Sequence, residues 1–187
     1  YVNKTQAVKD SLLGSINNAI ELSAKNENLG VQASSHMLLG NFYGFCRHFS
    51  DGEKNLKQGL EVRKKVGDPY YIVDDMIAIS NFYLNQQQYT KCIEQAKEGL
   101  LIAERNGISG LQLQLFRAMG VAYKSLGDYE QYSIILERAI VAADSSNKIN
   151  AAEKIADIET KYEVQKKETL IAQQKLDLFR RNLFLYG

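Results

Sequence analysis

Residues 116–127 read FRAMGVAYKSLG, and this stretch decides the fold. Its apolar residues recur at the three- and four-residue spacing of an amphipathic helix, and Gly127 ends the pattern. A similar order of large, small and aromatic residues occurs forty residues earlier, and again forty residues before that. Self-similarity at a fixed period is typical of repeat proteins. The sequence therefore predicts a stack of similar units.

Six columns of residues keep the forty-residue step. Two columns hold mainly aromatic residues, and the others hold small, apolar or helix-ending residues. The columns are Tyr43, Tyr83 and Tyr123; Phe49, Tyr89 and Tyr129; Gly40, Ser80 and Gly120; Gly59, Gly99 and Ala139; Leu60, Leu100 and Ile140; and Gly67, Gly107 and Asn147. Because six independent columns agree on one period, chance is a poor explanation for the pattern.

Each unit is predicted to be a helix-turn-helix hairpin. In the third unit one helical pattern ends at Gly127, and a second begins at Tyr129. Gly67 suits the left-handed conformation that closes a helix, and Pro69 suits the first turn of the next one. Small residues such as Gly40 are expected to let the two helices of a hairpin approach closely. A single hairpin cannot bury its apolar face, so neighbouring hairpins must stack.

The repeats predict an all-α fold, an α-α superhelix with a long C-terminal helix. Because residues 12–26 resemble the second helix of an earlier unit, we expect the array to continue before Tyr1. The sequence predicts two divisions, a repeat array at 1–162 and an extended helix at 163–187. The array consists of a half repeat at 1–29, three repeats at about 30–69, 70–109 and 110–149, and the start of a fourth at 150–162.

The units resemble the tetratricopeptide repeat (TPR) family, in which an aromatic residue precedes Leu-Gly and then Tyr at fixed spacing. The matching residues are Phe116, Met119, Gly120 and Tyr123 in the third unit, His36, Leu39, Gly40 and Tyr43 in the first, and Met76, Ile79, Ser80 and Tyr83 in the second. The resemblance implies a superhelix that binds a protein or peptide and catalyses no reaction.

The chain also departs from the family pattern. Gly52, Cys92 and Tyr132 stand where the family has alanine, and Asp144 replaces the closing proline. The period is forty residues, whereas the usual TPR period is about 34. These departures leave a HEAT-like repeat as an alternative.

Composition and motifs argue against several functional classes. The chain has 187 residues, of which 45% are hydrophobic and 24% are charged, and its net charge is +1 with no basic stripe. We therefore expect no binding of nucleic acid. His36, which is expected to pack, and His48 have no accompanying cluster of cysteine or carboxylate residues, and no nucleotide-binding or nucleophile motif is present. The sequence predicts no catalytic residue, no metal site and no cofactor.

The TPR resemblance implies that the first helix of each unit lines a concave groove. The residues carried over are Met37, Asn41 and Phe45 from the first unit, Asp74, Ile77, Asn81 and Asn85 from the second, and Gln114, Arg117, Val121 and Lys124 from the third. Asn41 and Asn81 can grip a peptide backbone, because an amide both donates and accepts. Arg117 and Lys124 suit a carboxylate. The alternative is that these are solvated polar residues on an exposed face. A chaperone-tail carboxylate clamp is not expected, because Met37 stands where such a clamp needs lysine.

A heptad pattern runs through the C-terminal stretch. Its apolar seam contains Ile155, Ile158, Tyr162, Ala172, Leu176, Phe179 and Leu183, with Thr169 as a polar member. This spacing predicts a coiled-coil-like helix through which two copies of the chain would form a homodimer. The alternative is a helix that caps the last repeat.

Residues 151–163 resemble the junction that follows the repeats in TPR sensor proteins of Bacteroidetes-type bacteria. This resemblance implies an extracytoplasmic sensor region, with a histidine kinase or a helix-turn-helix domain inside the cell. We expect a membrane segment after Gly187, because LFLYG at 183–187 follows a polar flank. No other membrane contact is expected, since the chain has no apolar run of about 20 residues. The alternatives are a cytoplasmic scaffold that assembles protein complexes and a peptide receptor.

Overall fold

The computed structural model describes residues 2–144, 167, 168 and 170–175. Contacts between residues divide the chain into two compact units, Tyr1–Ala143 and Asp144–Gly187. In the second unit the residues from 167 to 175 that are described are helical, and their side chains are exposed. No helix in the described ranges is long and apolar enough to cross a membrane.

Seven helices follow one another between residues 2 and 144, and no described residue lies in a β-strand. The helices are α1 Val2–Lys25, α2 Leu29–Phe45, α3 Phe49–Val66, α4 Pro69–Asn85, α5 Tyr89–Arg105, α6 Ser109–Leu126 and α7, residues 129–144. The prediction of an all-α superhelix is confirmed for the described residues.

Hairpins form from α2 with α3, from α4 with α5 and from α6 with α7, while α1 packs against α2. The first helices of successive hairpins also touch, since α2 contacts α4 and α4 contacts α6. The forty-residue step therefore places equivalent residues of α2, α4 and α6 side by side.

A residue with positive φ closes each of the first six helices. These residues are Glu27, Arg47, Gly67, Gln87, Gly107 and Gly127, with φ between 54° and 82°. They are spaced by twenty residues, so one helix and its turn form a half repeat of constant length. The predicted left-handed cap at Gly67 is confirmed, with φ of 82° and a backbone N–H that donates to the carbonyl of Arg63.

Side-chain caps fix where the first helices of the first two hairpins begin. The Asn28 side chain accepts a hydrogen bond from the backbone N–H of Val31 at 3.1 Å. The Asp68 carboxylate accepts one from the backbone N–H of Tyr70 at 2.9 Å, and Pro69 is the first residue of α4. Both caps satisfy backbone donors that an α-helix leaves free at its start.

The close approach predicted for the small-residue column differs between hairpins. A Cβ at Gly40 would lie 2.6 Å from Leu56 Cγ and 2.9 Å from the carbonyl oxygen of Gly52, so α2 and α3 are in tight contact there. A Cβ at Gly120 would have its nearest neighbour, Tyr132 Cε2, at 3.7 Å. The prediction is therefore right for the first hairpin, but the third leaves ordinary van der Waals room.

Polar side chains join the first hairpin to the second. Arg63 Nε in α3 donates to Asp75 Oδ2 in α4 at 2.8 Å, and both side chains are only 8% exposed. Arg63 Nη2 also donates to Ser34 Oγ in α2 at 2.9 Å. Burial raises the pKa of Asp75, although the adjacent guanidinium acts in the opposite direction. Three helices therefore meet at one buried ion pair.

Candidate functional site

A pocket of about 430 Å³ lies between α2 and α4, on the side where these two first helices run next to each other. Four of the predicted groove residues line it, namely Asn41 and Phe45 from α2 and Asn81 and Asn85 from α4. Asn41 and Asn81 are one repeat apart, and Asn85 is one helical turn beyond Asn81. The structure thus brings together residues that are up to 44 positions apart in the sequence.

The amides of this pocket are free to bind a partner. Asn41, Asn81 and Asn85 are exposed. Within the part of the chain that the structure describes, none of the three side chains has a hydrogen-bond partner. Asn55, in contrast, bonds to His36 Nδ1 and to a backbone carbonyl. Each free amide offers two donors and an acceptor oxygen, which suits the alternating N–H and C=O groups of an extended backbone.

Aromatic side chains form the apolar part of the pocket. Phe82 is nearly buried at its base, while Phe45 is 78% exposed and Phe49 is 43% exposed. Neither Phe49 nor Phe82 was predicted as a groove residue. Phe82 directly follows Asn81 on α4, but none of the six repeat columns contains it.

Asp74 and Gln114 are exposed and occupy equivalent positions of α4 and α6, and their role in lining a groove stays a prediction. Val121 is the third-unit equivalent of Asn41 and Asn81, and it is 47% exposed. None of these three residues lines the pocket between α2 and α4.

Met37 and Ile77 were predicted to lie on the groove surface, and this prediction is wrong because both side chains are buried. Met37 is 6% exposed and Ile77 is 4% exposed, and both belong to the hydrophobic core. A Cβ at Gly59 would lie 2.9 Å from Met37 Sδ, so Met37 packs into its own hairpin. A partner in the groove cannot reach these two side chains without displacing the core.

Arg117 and Lys124 lie away from the pocket between α2 and α4. Arg117 lines a separate apolar hollow of about 250 Å³ between α6 and α7. The ammonium group of Lys124 lies 5.9 Å from the ring centroid of Tyr132 in α7, where it makes a cation–π contact. The two cations therefore lie outside the pocket that the amides of α2 and α4 line. Their role as a pair that binds a carboxylate stays a prediction.

Seven of the eight seam residues, Ile155, Ile158, Tyr162, Thr169, Leu176, Phe179 and Leu183, lie outside the described residues. The eighth, Ala172, is helical and exposed.

A second pocket, of about 530 Å³, surrounds the buried Arg63 at the other end of the α2–α4 groove. Its walls include Ser34 and Leu38 from α2 and Tyr71 from α4, with the Arg63 guanidinium 5.3 Å from the Tyr71 ring centroid. The guanidinium is held by Asp75, Ser34 and the carbonyl of Gly30. Sequence reasoning missed this pocket, because no repeat column contains Arg63.

Both histidine side chains make contacts within the first hairpin. His36 is half-buried and bonds to Asn55 at 3.2 Å, which agrees with its predicted role in packing. His48 stacks on Tyr43, with ring centroids 6.1 Å apart. Among the described residues no group of three or more histidine, cysteine or carboxylate side chains is placed to hold a metal ion.

Solved structures with a similar fold are TPR-like repeat proteins. BtubC (BKLC) from P. vanneervenii matches with a TM-score of 0.66 at 17% identity, over 75% of this chain and 59% of BtubC. A kinesin light chain-like protein from Podosopora anserina, with nearly identical TPR-like repeats, matches with a TM-score of 0.60 at 12% identity, over 76% of this chain and 71% of its own. A substituted form of that protein gives a TM-score of 0.61 at 13% identity, over 76% and 70%.

This chain spans less than two thirds of the length of BtubC. No protein-family model and no curated protein sequence matches it. At such low identities the likeness concerns the fold alone. The helices, the forty-residue period and the structural neighbours together show that the chain has a TPR-like fold.

Proposed function

We propose that the chain is a protein-interaction module that binds an extended segment of a partner protein in the groove between α2 and α4. The observation that carries this proposal is the convergence on one pocket of three amides, Asn41, Asn81 and Asn85, that have no hydrogen-bond partner among the described residues. Side chains on a rigid helical scaffold that are left without partners are suited to meet the polar groups of a ligand. The TPR-like fold supports the same proposal, because stacked helical repeats create extended concave surfaces that bind partners.

The groove has room for a short peptide. Its two pockets are lined by α2 residues from Val31 to Phe45, which at 1.5 Å per residue span about 21 Å. An extended segment advances about 3.3 Å per residue, so about six residues would fit. The amides of α2 and α4 would hydrogen-bond to its backbone, while its side chains would enter the pockets.

The test is binding of a physiological partner to two matched variants. We expect Asn41→Ala combined with Asn81→Ala to weaken binding by about tenfold or more, because several hydrogen bonds would be lost. The control is Gln58→Ala, which truncates an exposed amide on α3. Equal affinity of the double variant and the wild type, measured by calorimetry, would place the partner on another surface.

A finer proposal concerns the role of the whole protein. We propose that the array is the extracytoplasmic sensor region of a membrane-anchored signalling protein. The support is the sequence resemblance of residues 151–163 to the junction in TPR sensor proteins. Binding in the groove would then be the input signal. A cytoplasmic scaffold is the alternative that the experiment must distinguish.

Cysteine labelling of intact cells tests this location. Asn106→Cys places a thiol at an exposed turn, and Cys46→Ser removes the partly exposed native thiol. Cys92 can remain, because burial raises the pKa of its thiol to about 11 and keeps it unreactive. We expect an impermeant reagent to label the Asn106→Cys variant in cells with a permeable outer envelope. Labelling only after lysis would overturn the extracytoplasmic location.

The proposed homodimer rests on the heptad spacing of the C-terminal stretch. Light scattering on the purified chain should give the mass of a dimer, and Leu176→Glu with Phe179→Glu should give that of a monomer, because two charges would enter the apolar seam. The control is Gln173→Glu, at a described and exposed helical position outside the seam. A monomeric wild type at high concentration would refute this proposal.

A further inference from the structure

We infer that the pocket between α2 and α4 is a socket for an uncharged peptide segment that is anchored by an aromatic side chain. The inference rests on the proposed function, because it names the chemistry that the same groove would select. Two features of the pocket support it, namely the absence of ionisable groups among its described lining residues and the exposure of the Phe45 and Phe49 rings.

None of the lining residues that the structure describes for this pocket is ionisable. The lining consists of Asn41, Gly44, Phe45, Phe49, Ala78, Asn81, Phe82, Asn85 and Gln86. Lys9 of α1 contacts one lining residue, since its ammonium group lies 5.8 Å from the Phe45 ring centroid, but Lys9 itself does not line the pocket. A charged side chain that entered the pocket would lose hydration without gaining a counter-charge, which is unfavourable. The pocket therefore selects against charged residues.

The exposure of Phe45 is not explained by folding. Its side chain is 78% exposed at the end of α2, and the equivalent positions of the next two repeats hold Asn85 and Ser125. The fold thus accepts a polar residue in this column. An aromatic residue that leaves its ring in water at such a position is expected where an apolar ligand covers it.

Gly44 keeps the base of the socket open. A Cβ at Gly44 would lie 2.8 Å from Phe82 Cε2, so no side chain fits there while Phe82 forms the base. The equivalent residue of the second repeat is Leu84, and Ala122 replaces Phe82 one repeat later. The combination of Gly44 with Phe45 and Phe82 is therefore specific to the space between α2 and α4.

The dimensions of the pocket suit an aromatic anchor. A volume of about 430 Å³ lies within the range of about 300–1,000 Å³ that is common for ligand pockets. An aromatic side chain would pack between the rings of Phe45 and Phe49 and against Phe82. The flanking peptide groups would then meet the amides of Asn41, Asn81 and Asn85 at the rim. Apolar contact would supply the affinity, and the amides would fix the direction of the peptide.

The experiment uses a random dodecapeptide phage library selected on the immobilised chain, followed by anisotropy measurements with the selected peptides as probes. We expect a consensus with one aromatic residue and no charged neighbours, and an affinity that does not change between low and high salt. Phe45→Asn, which installs the residue of the second repeat, should weaken binding about tenfold. The matched control Tyr129→Asn removes another exposed ring, 67% accessible on α7, and should leave binding unchanged.

The outcomes separate this inference from the proposed function. An acidic or basic consensus whose affinity falls with salt, and which needs Asn81 but not Phe45, would overturn the aromatic socket and leave the groove as a peptide site. Peptides whose binding is insensitive to both Phe45→Asn and Asn81→Ala would overturn the proposed groove as well.

Discussion

The ring of Phe82 in α4 occupies the space that a side chain at Gly52 in α3 would need. A Cβ at Gly52 would lie 2.8 Å from Cε2 of that ring and 2.9 Å from Cζ. One repeat later the equivalent residues are Cys92 and Ala122, and both are fully buried. The Cys92 thiol points toward α6, with Sγ 3.8 Å from the carbonyl oxygen of Ala118. In the α3–α4 interface a phenylalanine thus faces a glycine, whereas two small residues, cysteine and alanine, take the equivalent positions in the α5–α6 interface.

This compensation predicts coupling between positions 52 and 82. Gly52→Cys alone should destabilise the fold by about 1–3 kcal/mol through overpacking against the ring. Phe82→Ala alone should destabilise it by about 3–5 kcal/mol through the cavity it leaves. The double substitution recreates the residue pair of the second interface, so it should be more stable than the sum of the single effects by at least about 1 kcal/mol. Urea unfolding of the wild type, the two single variants and the double variant measures this coupling energy. If the two single changes in the free energy of unfolding add up to that of the double variant, the coupling is contradicted.

Gln95 in α5 carries a buried amide nitrogen, Nε2, without a hydrogen-bond partner in the described structure. The equivalent Asn55 bonds to His36, but the equivalent of His36 in the second repeat is Met76. In the third repeat the position holds the buried Ile135.

Gln95→Leu should therefore raise the free energy of unfolding by about 1 kcal/mol, because it removes an unsatisfied polar group. Gln58→Leu, at an exposed position of α3, serves as the control and should change stability little. A clear loss of stability in the Gln95 variant, measured by urea unfolding, would show that the amide does have a partner.

The turn after α4 holds Gln87 at φ of 60°, a conformation that the turn after α3 gives to glycine. A residue with a Cβ is strained there, so Gln87→Gly should stabilise the fold by about 0.5–1 kcal/mol. Gln87→Ala keeps the strain and should have almost no effect, which separates backbone relief from loss of the side chain. Thermal unfolding measures the three stabilities. If the wild type is the most stable and the Gln87→Gly variant the least stable, the assigned turn is contradicted.

Glu53 of α3 contributes stability that depends on pH. The hydrogen bond from Lys57 holds the pKa of this carboxyl below its ordinary value of 4.5 and outweighs burial, which raises the pKa. The Tyr83 hydroxyl and the Lys91 charge also lower the pKa. A carboxyl whose pKa is lower in the folded state stabilises the fold above its ordinary pKa and loses that effect as the pH falls below it.

Glu53→Gln should therefore lower the free energy of unfolding at pH 7, by less than about 1 kcal/mol because the partners are partly exposed. The difference from the wild type should shrink as the pH falls below 4.5. Glu61→Gln, at an exposed carboxyl, provides the control. A difference that stays constant from pH 7 to pH 3 in urea titrations would contradict a role for the Glu53 charge.

Much of the fold follows from the forty-residue period, because helix periodicity and glycine positions mark each hairpin. The turns at Arg47 and Gln87 could not be predicted, since neither residue type signals a left-handed backbone. The same limit applies to the column of Gly40 and Gly120, where the sequence indicates small residues but not the distance between helices.

The site was predictable where the repeat geometry alone determines it. Asn41 and Asn81 lie together because adjacent first helices align equivalent positions. Met37 and Ile77 were placed on the surface by family resemblance, although their apolar character already favoured the core. The Arg63 pocket depends on a side-chain pairing with Asp75 across a turn, and no periodic pattern encodes such a contact.

Gly40 and Gly120 hold the same repeat position but should respond differently to a methyl group. Gly40→Ala places a Cβ 2.6 Å from Leu56 Cγ and 2.9 Å from a backbone oxygen that cannot rotate away, so we expect destabilisation by about 1–3 kcal/mol. Gly120→Ala places a Cβ 3.7 Å from Tyr132, and alanine is the better helix former by about 1 kcal/mol, so stability should stay the same or rise. Urea unfolding of the two variants against the wild type gives the comparison. Equal losses at both positions would mean that α6 and α7 are as close as α2 and α3, and would refute the looser third hairpin.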